Sequence, residues 1–253
     1  MSSKGPDLQD FMPSSSFVPQ RSALNRTNLS DFLLLLIISI GGTRLLLPVF
    51  DGFFLSLPWS DDAVNAARLA LGLMLHSLIA LITTWFIFFY RRQIKLKDIE
   101  LGPWSNQWLR TALPMAAPII LTTLLINYTI SLLLGDSFNN PQSTVVETLG
   151  HTPSSLVVLI TGTLIIAPVL EEIIFRGLLL GWLELKMSRL KALMVSSLAF
   201  ALVHGAPLLV PALFVAGMGF GFARQKAKSL WPAIVLHAIF NGLSVLLILS
   251  APA

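Results

Sequence analysis

The sequence contains no cysteine. It therefore cannot form a disulfide, a thiol nucleophile or a cysteine-ligated metal site. It is also poor in charge: Asp, Glu, Lys and Arg make up 12% of its 253 residues, against roughly 25% in soluble proteins. Hydrophobic residues make up 55%, and a soluble domain of this composition would expose large apolar patches to water. The composition excludes an ordinary soluble protein and indicates a lipid environment.

Long apolar runs dominate the chain from residue 32 onward. Four of them reach the roughly 20 residues that cross a hydrocarbon core of about 30 Å, and three shorter candidates follow. The seven runs are residues 32–50, 66–90, 111–134, 155–183, 190–204, 207–223 and 230–249. The sequence predicts an all-α, polytopic membrane helix bundle over residues 32–250 with about seven transmembrane helices, and it leaves open an eighth, re-entrant segment around residues 136–154.

The segment before the first run, residues 1–31, is rich in Ser, Pro, Asn and Gln and has no sustained apolar period. Such a composition cannot bury enough apolar surface to offset the entropy of ordering. It predicts a disordered cytoplasmic tail.

Lys and Arg fall in alternate loops of the predicted bundle. The basic loops carry Lys4, Arg21 and Arg26; Arg91, Arg92, Lys95 and Lys97; Lys186, Arg189 and Lys191; and Arg224, Lys226 and Lys228. The intervening loops have no Lys or Arg, and only Arg44 and Arg68 depart from this pattern. Because basic loops stay in the cytoplasm, we expect a cytoplasmic N-terminus, and the compact loops suggest a bacterial inner membrane. The net charge of +4 follows from this topology and does not call for a nucleic-acid partner.

Ionisable residues lie within the fourth run. A charged group at the bilayer centre costs roughly 2.5–3.5 kcal/mol on insertion scales, so Glu171, Glu172 and Arg176 are informative. Glu172 and Arg176 are four residues apart and share a helix face, where they can pair. We interpret this pair first as an ion pair that joins helices. Glu171 points about 100° away and is left to act as a general base.

Two histidines lie in later runs. His204 follows Phe200 by four residues, and His237 precedes Asn241 by four, so each pair shares a helix face. A lone histidine on an apolar helix is usually a packed, hydrogen-bonded group. Two of them, together with Asn241 and the free Glu171, favour a functional site. A rise of about 1.5 Å per residue allows Glu171 and the two histidines to meet between the cytoplasmic half and the middle of the bilayer.

This set of side chains supports two chemistries. In the first, Glu171 takes a proton from water that His204 positions, while His237 and Asn241 donate hydrogen bonds to the developing oxyanion. In the second, His204 and His237 bind Zn²⁺ together with a carboxylate and leave a position for water. The residues alone leave both open.

The motifs resemble those of the CAAX protease and bacteriocin-processing (CPBP) family. They are Glu171-Glu172-x-x-x-Arg176, Phe200-x-x-x-His204 and His237-x-x-x-Asn241, within a catalytic core at about residues 155–250. The resemblance implies an intramembrane endopeptidase whose site opens to the cytoplasm and whose substrate is a membrane-associated protein, prenylated at a CAAX tail in one branch of the family. It implies that Glu171 is the base, that His204, His237 and Asn241 complete the site, and that Glu172, Arg176 and Phe200 support it. The family was first described as metalloproteases; a metal-free glutamate mechanism is favoured here over zinc.

Two other functions fit the same residues. Embedded Glu, His and Arg side chains also build proton relays, so a proton-coupled transporter is one alternative, although the inverted repeats of many transporters are not visible. A non-catalytic membrane scaffold or immunity factor that keeps the motifs for folding is the other.

Overall fold

The computed structural model of the chain describes residues 19–135, 141–149 and 153–250, and every regular element in these ranges is helical. The eight main helices are α1 (Leu29–Leu55), α2 (Asp61–Arg91), α3 (Gln107–Leu134), α4 (Pro141–Leu149), α5 (Ser155–Leu183), α6 (Arg189–Val203), α7 (Val210–Ala227) and α8 (Trp231–Leu249). The prediction of an all-α bundle is confirmed.

Six helices of the described ranges are long and apolar enough to cross a membrane: α1, α2, α3, α5, α7 with the turn from Pro207 that precedes it, and α8. Their outer faces carry large exposed apolar side chains, such as Leu45 and Leu133, each 78% exposed. Such surfaces are stable only against lipid. The chain is an integral membrane protein, as its composition predicts.

The fifth of the seven predicted spans is shorter than a full crossing. It forms α6, which has 15 residues and a length of about 22 Å, below the roughly 30 Å of a hydrocarbon core. In the region of the suggested eighth segment, α4 has nine residues and packs against α2 and α8; residues 136–140 and 150–152 lie outside the described ranges.

The basic loops meet at one end of the bundle, which we call the basic end. Arg92 after α2 donates two hydrogen bonds to Asp31 in α1, from Nε at 2.9 Å and Nη2 at 2.8 Å. Arg189 at the start of α6 donates to the Gln225 carbonyl near the end of α7 at 3.0 Å. Because α6 begins and α7 ends at the basic end, the two helices form a hairpin whose tip, residues 204–209, lies away from that end.

Helix α7 is the centre of the bundle. Half of its most apolar 18-residue window is buried, and it packs against α3, α6 and α8. Glycines permit the close approach: a Cβ at Gly219 would lie 2.2 Å from Ile119 Cδ1 of α3, and one at Gly217 would lie 3.1 Å from Ser197 Cβ of α6. Small residues serve this purpose at membrane helix interfaces.

The predicted disordered tail is wrong for residues 19–31. Pro19–Arg26 forms a 3₁₀ helix, α1 already begins at Leu29, and the Leu24 side chain is fully buried. Leu24 packs against Gly181 of α5, where a Cβ would lie 2.7 Å from its Cδ1, and Trp182 Nε1 donates to the Thr27 carbonyl at 3.0 Å. One buried apolar side chain and a few hydrogen bonds hold this segment in place. The rest of the segment is polar, so its composition gives no indication of these contacts. Residues 1–18 lie outside the described residues.

Replacing Leu24 by Ala tests this anchor. Truncating a fully buried leucine costs about 2–5 kcal/mol, because it loses apolar burial and leaves a cavity. We expect Leu24→Ala to lower the unfolding midpoint of the purified protein in detergent. The matched control is Leu96→Ala, at a leucine that is 52% exposed in the loop between α2 and α3. Equal midpoints for the two variants would contradict the docked N-terminal segment.

Candidate active site

Helix α5 is not a regular α-helix throughout. It is π-helical over Thr161–Ile166, α-helical over Ala167–Glu172 and π-helical again over Ile173–Leu180. Wide turns of this kind are frequent at functional sites. They place the two consecutive glutamates, Glu171 and Glu172, at the end of a short regular segment between two irregular ones.

Pro168 explains why the first π-helical segment of α5 forms a hydrogen bond with α8. The Ala167 N–H donates to the Gly162 carbonyl, five residues back. The next bond of that series would run from residue 168 to the Thr163 carbonyl, but Pro168 has no N–H to donate. Asn241 of α8 takes its place, since its Nδ2 donates to the Thr163 carbonyl at 2.8 Å. The interaction fixes α8 against α5 one turn beyond His237.

Glu172 is the buried junction of the site. Its side chain has no exposed surface, and its Oε1 lies 2.9 Å from both Arg176 Nη1 and His237 Nδ1. The pair with Arg176 is the one that the four-residue spacing predicts. The bond to His237 was not predicted, because no sequence spacing relates α5 to α8. Glu172 thus joins the two helices and orients a histidine in addition to balancing the arginine.

Three phenylalanine rings lie around Arg176. Its Cζ lies 4.2 Å from the ring centroid of Phe200, 5.3 Å from that of Phe220 and 6.0 Å from that of Phe175. Its Nη2 donates to the Gly217 carbonyl at 3.3 Å. A desolvated cation over aromatic faces gains about 2 kcal/mol. These contacts explain how a guanidinium that is 1% exposed is stable within a membrane helix.

The same rings hold the histidines. Phe200 meets His204 edge-on at 4.8 Å and His237 edge-on at 5.7 Å between ring centroids. Phe220 stacks on His237 at 4.6 Å, with 18° between the planes. Phe200 therefore contacts Arg176 and both histidines. These contacts explain why a phenylalanine lies four residues before His204.

Both histidines have their Nδ1 atoms occupied. His204 Nδ1 lies 2.7 Å from the Phe200 carbonyl, and His237 Nδ1 lies 2.9 Å from Glu172 Oε1. Both partners are acceptors, so Nδ1 carries the hydrogen in each ring. In the neutral imidazole the lone pair is then on Nε2. The two rings are therefore fixed in orientation, each with Nδ1 toward an acceptor.

Both Nε2 atoms face Glu171. Its Oε2 lies 3.9 Å from His204 Nε2 and 3.9 Å from His237 Nε2. Oε2 is itself buried and, among the described residues, has no hydrogen-bond partner. The rest of the site is partly open, since the side chain of Glu171 is 28% exposed and that of His204 is 25% exposed. The three residues that sequence spacing allows to converge do converge.

Several residues of the site carry no sequence signal of their own. Phe220 and Gly217 belong to the Gly-rich stretch of α7, which indicates close helix packing and says nothing of what it packs against. Thr163 contributes only a backbone carbonyl. The one sequence signal for it is Pro168, five residues later, because a proline has no N–H to donate to that carbonyl. The other histidines stay apart: His76 is exposed on α2, with Nδ1 3.4 Å from Thr43 Oγ1, and His151 lies outside the described residues.

The three side chains lie slightly farther apart than the ligands of a zinc ion. Two imidazole nitrogens and a carboxylate are donors that Zn²⁺ accepts, but tetrahedral bonds of about 2.05 Å would bring them to about 3.3 Å from one another. Glu171 Oε2 lies 3.9 Å from each nitrogen. Within the described residues, no three His, Cys, Asp or Glu side chains are grouped closely enough to hold a metal ion.

Fold and site define a polytopic membrane protein in which three separate helices supply one carboxylate and two oriented imidazoles. Residues 153–243 match the sequence model of the type II CAAX prenyl endopeptidase Rce1-like family, and the matched range includes all three motifs. The resemblance predicted from those motifs is confirmed for this part of the chain.

Two curated proteins are similar to parts of this chain that are 115 and 94 residues long. The chain is 37% identical over 94 residues to the membrane-embedded CAAX protease MroQ of Staphylococcus aureus, covering 35% of this chain and 38% of that protein. It is 32% identical over 115 residues to YdiL of Bacillus subtilis, which is named as a membrane peptidase, covering 45% of each. The similarity thus spans less than half the length of these relatives. No solved structure matches the chain.

The bond between Asn241 and the Thr163 carbonyl can be tested by a double-mutant cycle. Asn241→Leu leaves that carbonyl without its donor, at a cost of about 1–3 kcal/mol in unfolding free energy. Pro168→Ala restores a backbone N–H that can bond the same carbonyl. We therefore expect Asn241→Leu to cost less in the Pro168→Ala background, measured by thermal unfolding in detergent. An equal cost in both backgrounds would show that the asparagine does not replace the missing N–H.

Proposed function

We propose that this protein is an intramembrane endopeptidase that hydrolyses a peptide bond of a membrane-associated protein with water activated by Glu171, without a metal. The observation that carries the proposal is the position of Glu171 Oε2, 3.9 Å from the Nε2 atoms of two histidines whose other nitrogens are occupied. In the proposed reaction a water molecule hydrogen-bonds to Oε2 and to both nitrogens, at ordinary distances of about 2.8 Å. The similarity to CAAX endopeptidases supports the same reaction.

Counting protons assigns the roles of the histidines. Glu171 Oε2 and two neutral Nε2 atoms are three acceptors, whereas a water molecule donates only two hydrogens. One of the three groups therefore carries an additional proton in the working site. We assign this proton to His237, whose Nδ1 faces the Glu172 carboxylate. His204, whose Nδ1 meets the Phe200 backbone carbonyl, orients the water.

The charges of the site support this assignment. Glu171 and Glu172 are two carboxylates, and Arg176 is one cation. With both histidines neutral the cluster would have a net charge of −1, which is costly in a membrane interior. A protonated His237 makes the cluster neutral.

The reaction then proceeds as acid–base hydrolysis. Glu171 takes a proton from the water as its oxygen attacks the substrate carbonyl, and the His237 Nε2–H donates to the oxyanion that forms. The carbon–nitrogen bond then breaks, and Glu171 returns its proton to the leaving amine. One Asn241 amide hydrogen is already engaged with Thr163, so we assign Asn241 to holding α8 and His237 in place, in contrast to the oxyanion donor that the sequence suggested.

The substrate is proposed from the surroundings of the site. Glu171 and His204 are partly exposed within a bundle whose outer face contacts lipid, so a membrane-anchored or lipid-modified polypeptide reaches them most directly. A prenylated CAAX-type tail and a bacterial membrane peptide both satisfy this condition. The basic loops favour a cytoplasmic N-terminus, and the bacterial relatives support the cytoplasmic (inner) membrane of a bacterium as the location.

Glu171→Gln tests the general base with little change in shape. Loss of a general base lowers a rate by about 10²–10⁴-fold. We expect the variant to abolish a specific peptide end in the membrane fraction of expressing cells, measured by quantitative mass spectrometry of protein termini. His76→Ala, a histidine outside the site, is the matched control and keeps that end.

The outcome also separates the alternatives. A scaffold or immunity factor would leave both the termini and the biological activity unchanged in Glu171→Gln. A proton-coupled transporter would lose transport while no peptide end depends on Glu171. Either result would refute the endopeptidase.

Chelation tests the metal-free part of the proposal. In the metal-free mechanism that we propose, cleavage by the purified protein survives extended dialysis against a strong zinc chelator. The readout is cleavage of the peptide identified in the termini comparison. Loss of cleavage that added Zn²⁺ restores would show that the reaction depends on zinc and would refute the metal-free mechanism.

A further inference from the structure

Four helices surround the candidate site. Helix α5 packs against α6 and α8, and α7 packs against the same two helices. Glu171 of α5 meets His204 and His237 in the space that these helices enclose. A polypeptide can enter this space from the basic end or from the opposite end, which we call the far end. The packing on the two sides of Glu171 distinguishes these routes.

The space is closed toward the basic end by Arg176 and the aromatic rings around it. Arg176 follows Glu171 by five residues in the direction of the basic end, and three phenylalanine rings lie around its guanidinium. The guanidinium is 1% exposed and is held by Glu172 and by the Gly217 carbonyl. A polypeptide that entered from this end would have to break the buried ion pair and separate the rings.

The part of α5 between this layer and the basic end is tightly packed. Every residue of α5 from 174 to 183 is buried. A Cβ at Gly177 would lie 3.1 Å from Ile99 Cβ, and one at Gly181 would lie 2.7 Å from Leu24 Cδ1. The loop between α2 and α3 and the docked N-terminal segment therefore cover α5 here, and they leave no room for a second chain beside it.

The same helices are more open on the far side of Glu171. In α5 no residue from 161 to 167 is buried, and in α8 no residue from 238 to 249 is buried. A Cβ at Gly162, or at Gly205 in the hairpin tip, would meet no atom of the described residues within 4 Å. The part of the chain that the structure describes thus leaves space on the side of the site where the basic end has none.

The short α6 extends this opening into the membrane. Helix α6 begins at the basic end, and its 15 residues span about 22 Å. His204 follows its last residue and therefore lies about 8 Å short of the far surface of a hydrocarbon core of roughly 30 Å. The 19 residues of α8 continue to about that surface. The difference in length forms a recess above His204 through which water and a polypeptide can reach the site.

We propose that the substrate enters the site from the far end. Because basic loops stay in the cytoplasm, the far end faces the extracytoplasmic side, which is the reverse of the opening that the family resemblance implies. The inference rests on the proposed endopeptidase function and narrows its substrate. An exported or membrane-inserted polypeptide presents a peptide bond on the extracytoplasmic side, whereas a prenylated tail on the cytoplasmic leaflet does not.

Single cysteines test the direction of entry, because the chain has no cysteine of its own. Full-length variants are treated in intact cells with a charged, membrane-impermeant methanethiosulfonate reagent, which reacts with the thiolate and so reports contact with water. The site variant is His204→Cys. The second variant is Leu208→Cys, at a leucine of the hairpin tip that is 38% exposed and lies outside the site.

Two exposed positions are the matched controls: Asp62→Cys at the far end of α2, and Lys226→Cys at the basic end. We expect His204→Cys, Leu208→Cys and Asp62→Cys to be labelled in intact cells about tenfold or more faster than Lys226→Cys, because only their thiolates meet water outside the cell. Lys226→Cys reacts once the membrane is opened. The proposal would be overturned by labelling of His204→Cys that needs an opened membrane, as it would by labelling of Leu208→Cys without His204→Cys or by labelling of Lys226→Cys in intact cells.

Labelling does not require catalysis, so the direction of entry and the proposed function fail separately. Labelling of His204→Cys from outside, with no peptide end that depends on Glu171, would support the far-end opening and refute the endopeptidase. A peptide end that depends on Glu171, with His204→Cys labelled only from the cytoplasmic side, would support the endopeptidase and overturn the far-end opening.

Discussion

The arrangement of the site depends on one buried carboxylate. Glu172 Oε1 contacts Arg176 within α5 and His237 in α8 at 2.9 Å each, so a single atom balances a cation, positions a ring and fixes a helix contact. Leaving one partner of such a buried pair alone costs about 3–5 kcal/mol. Glu172 therefore cannot move without uncovering a charge, and the position of His237 Nε2 follows from that constraint. Glu172 is structural and Glu171 is available for chemistry because the two side chains point in different directions from the same helix.

The apolar surroundings of this pair are as specific as its charges. Phe200 and Phe220 lie over Arg176 and also contact His237. Phe220 can reach both only because α7 lies close to α5 and α6, and Gly217 permits that approach while its carbonyl accepts a hydrogen bond from the arginine. Aromatic faces and a backbone carbonyl replace water around the guanidinium. A larger residue at position 217 would disturb the packing and the charge cluster together.

Much of the bundle could be predicted from sequence, because lipid imposes length and apolarity on every span. The same is true of contacts within one helix, such as Glu172 with Arg176, which depend only on helical periodicity. Contacts between helices could not be predicted: the bond from Glu172 to His237 joins residues 65 positions apart, and that from Asn241 to Thr163 joins residues 78 apart. The docked Leu24 was missed for a related reason, since its burial depends on tertiary contacts that composition does not record.

Among the described residues, Glu171 is held less closely than the other charged groups of the site. Arg176 has a carboxylate, a carbonyl and aromatic faces, and each histidine has an acceptor at Nδ1, whereas Glu171 Oε2 is buried 3.9 Å from its neighbours. A buried acceptor without a hydrogen bond costs about 1–3 kcal/mol, and folding alone gives no reason to retain it. The hydrogen bonds and ion pairs of the neighbouring Glu172, Arg176 and His237 stabilise the helices that carry Glu171. Their contribution offsets the cost of the one unbonded oxygen. Violations of local rules that the surrounding structure supports are expected where function requires them. Glu172 Oε2 is also buried without a hydrogen bond among the described residues, but Glu171 Oε2 is the one of the two that faces both imidazoles.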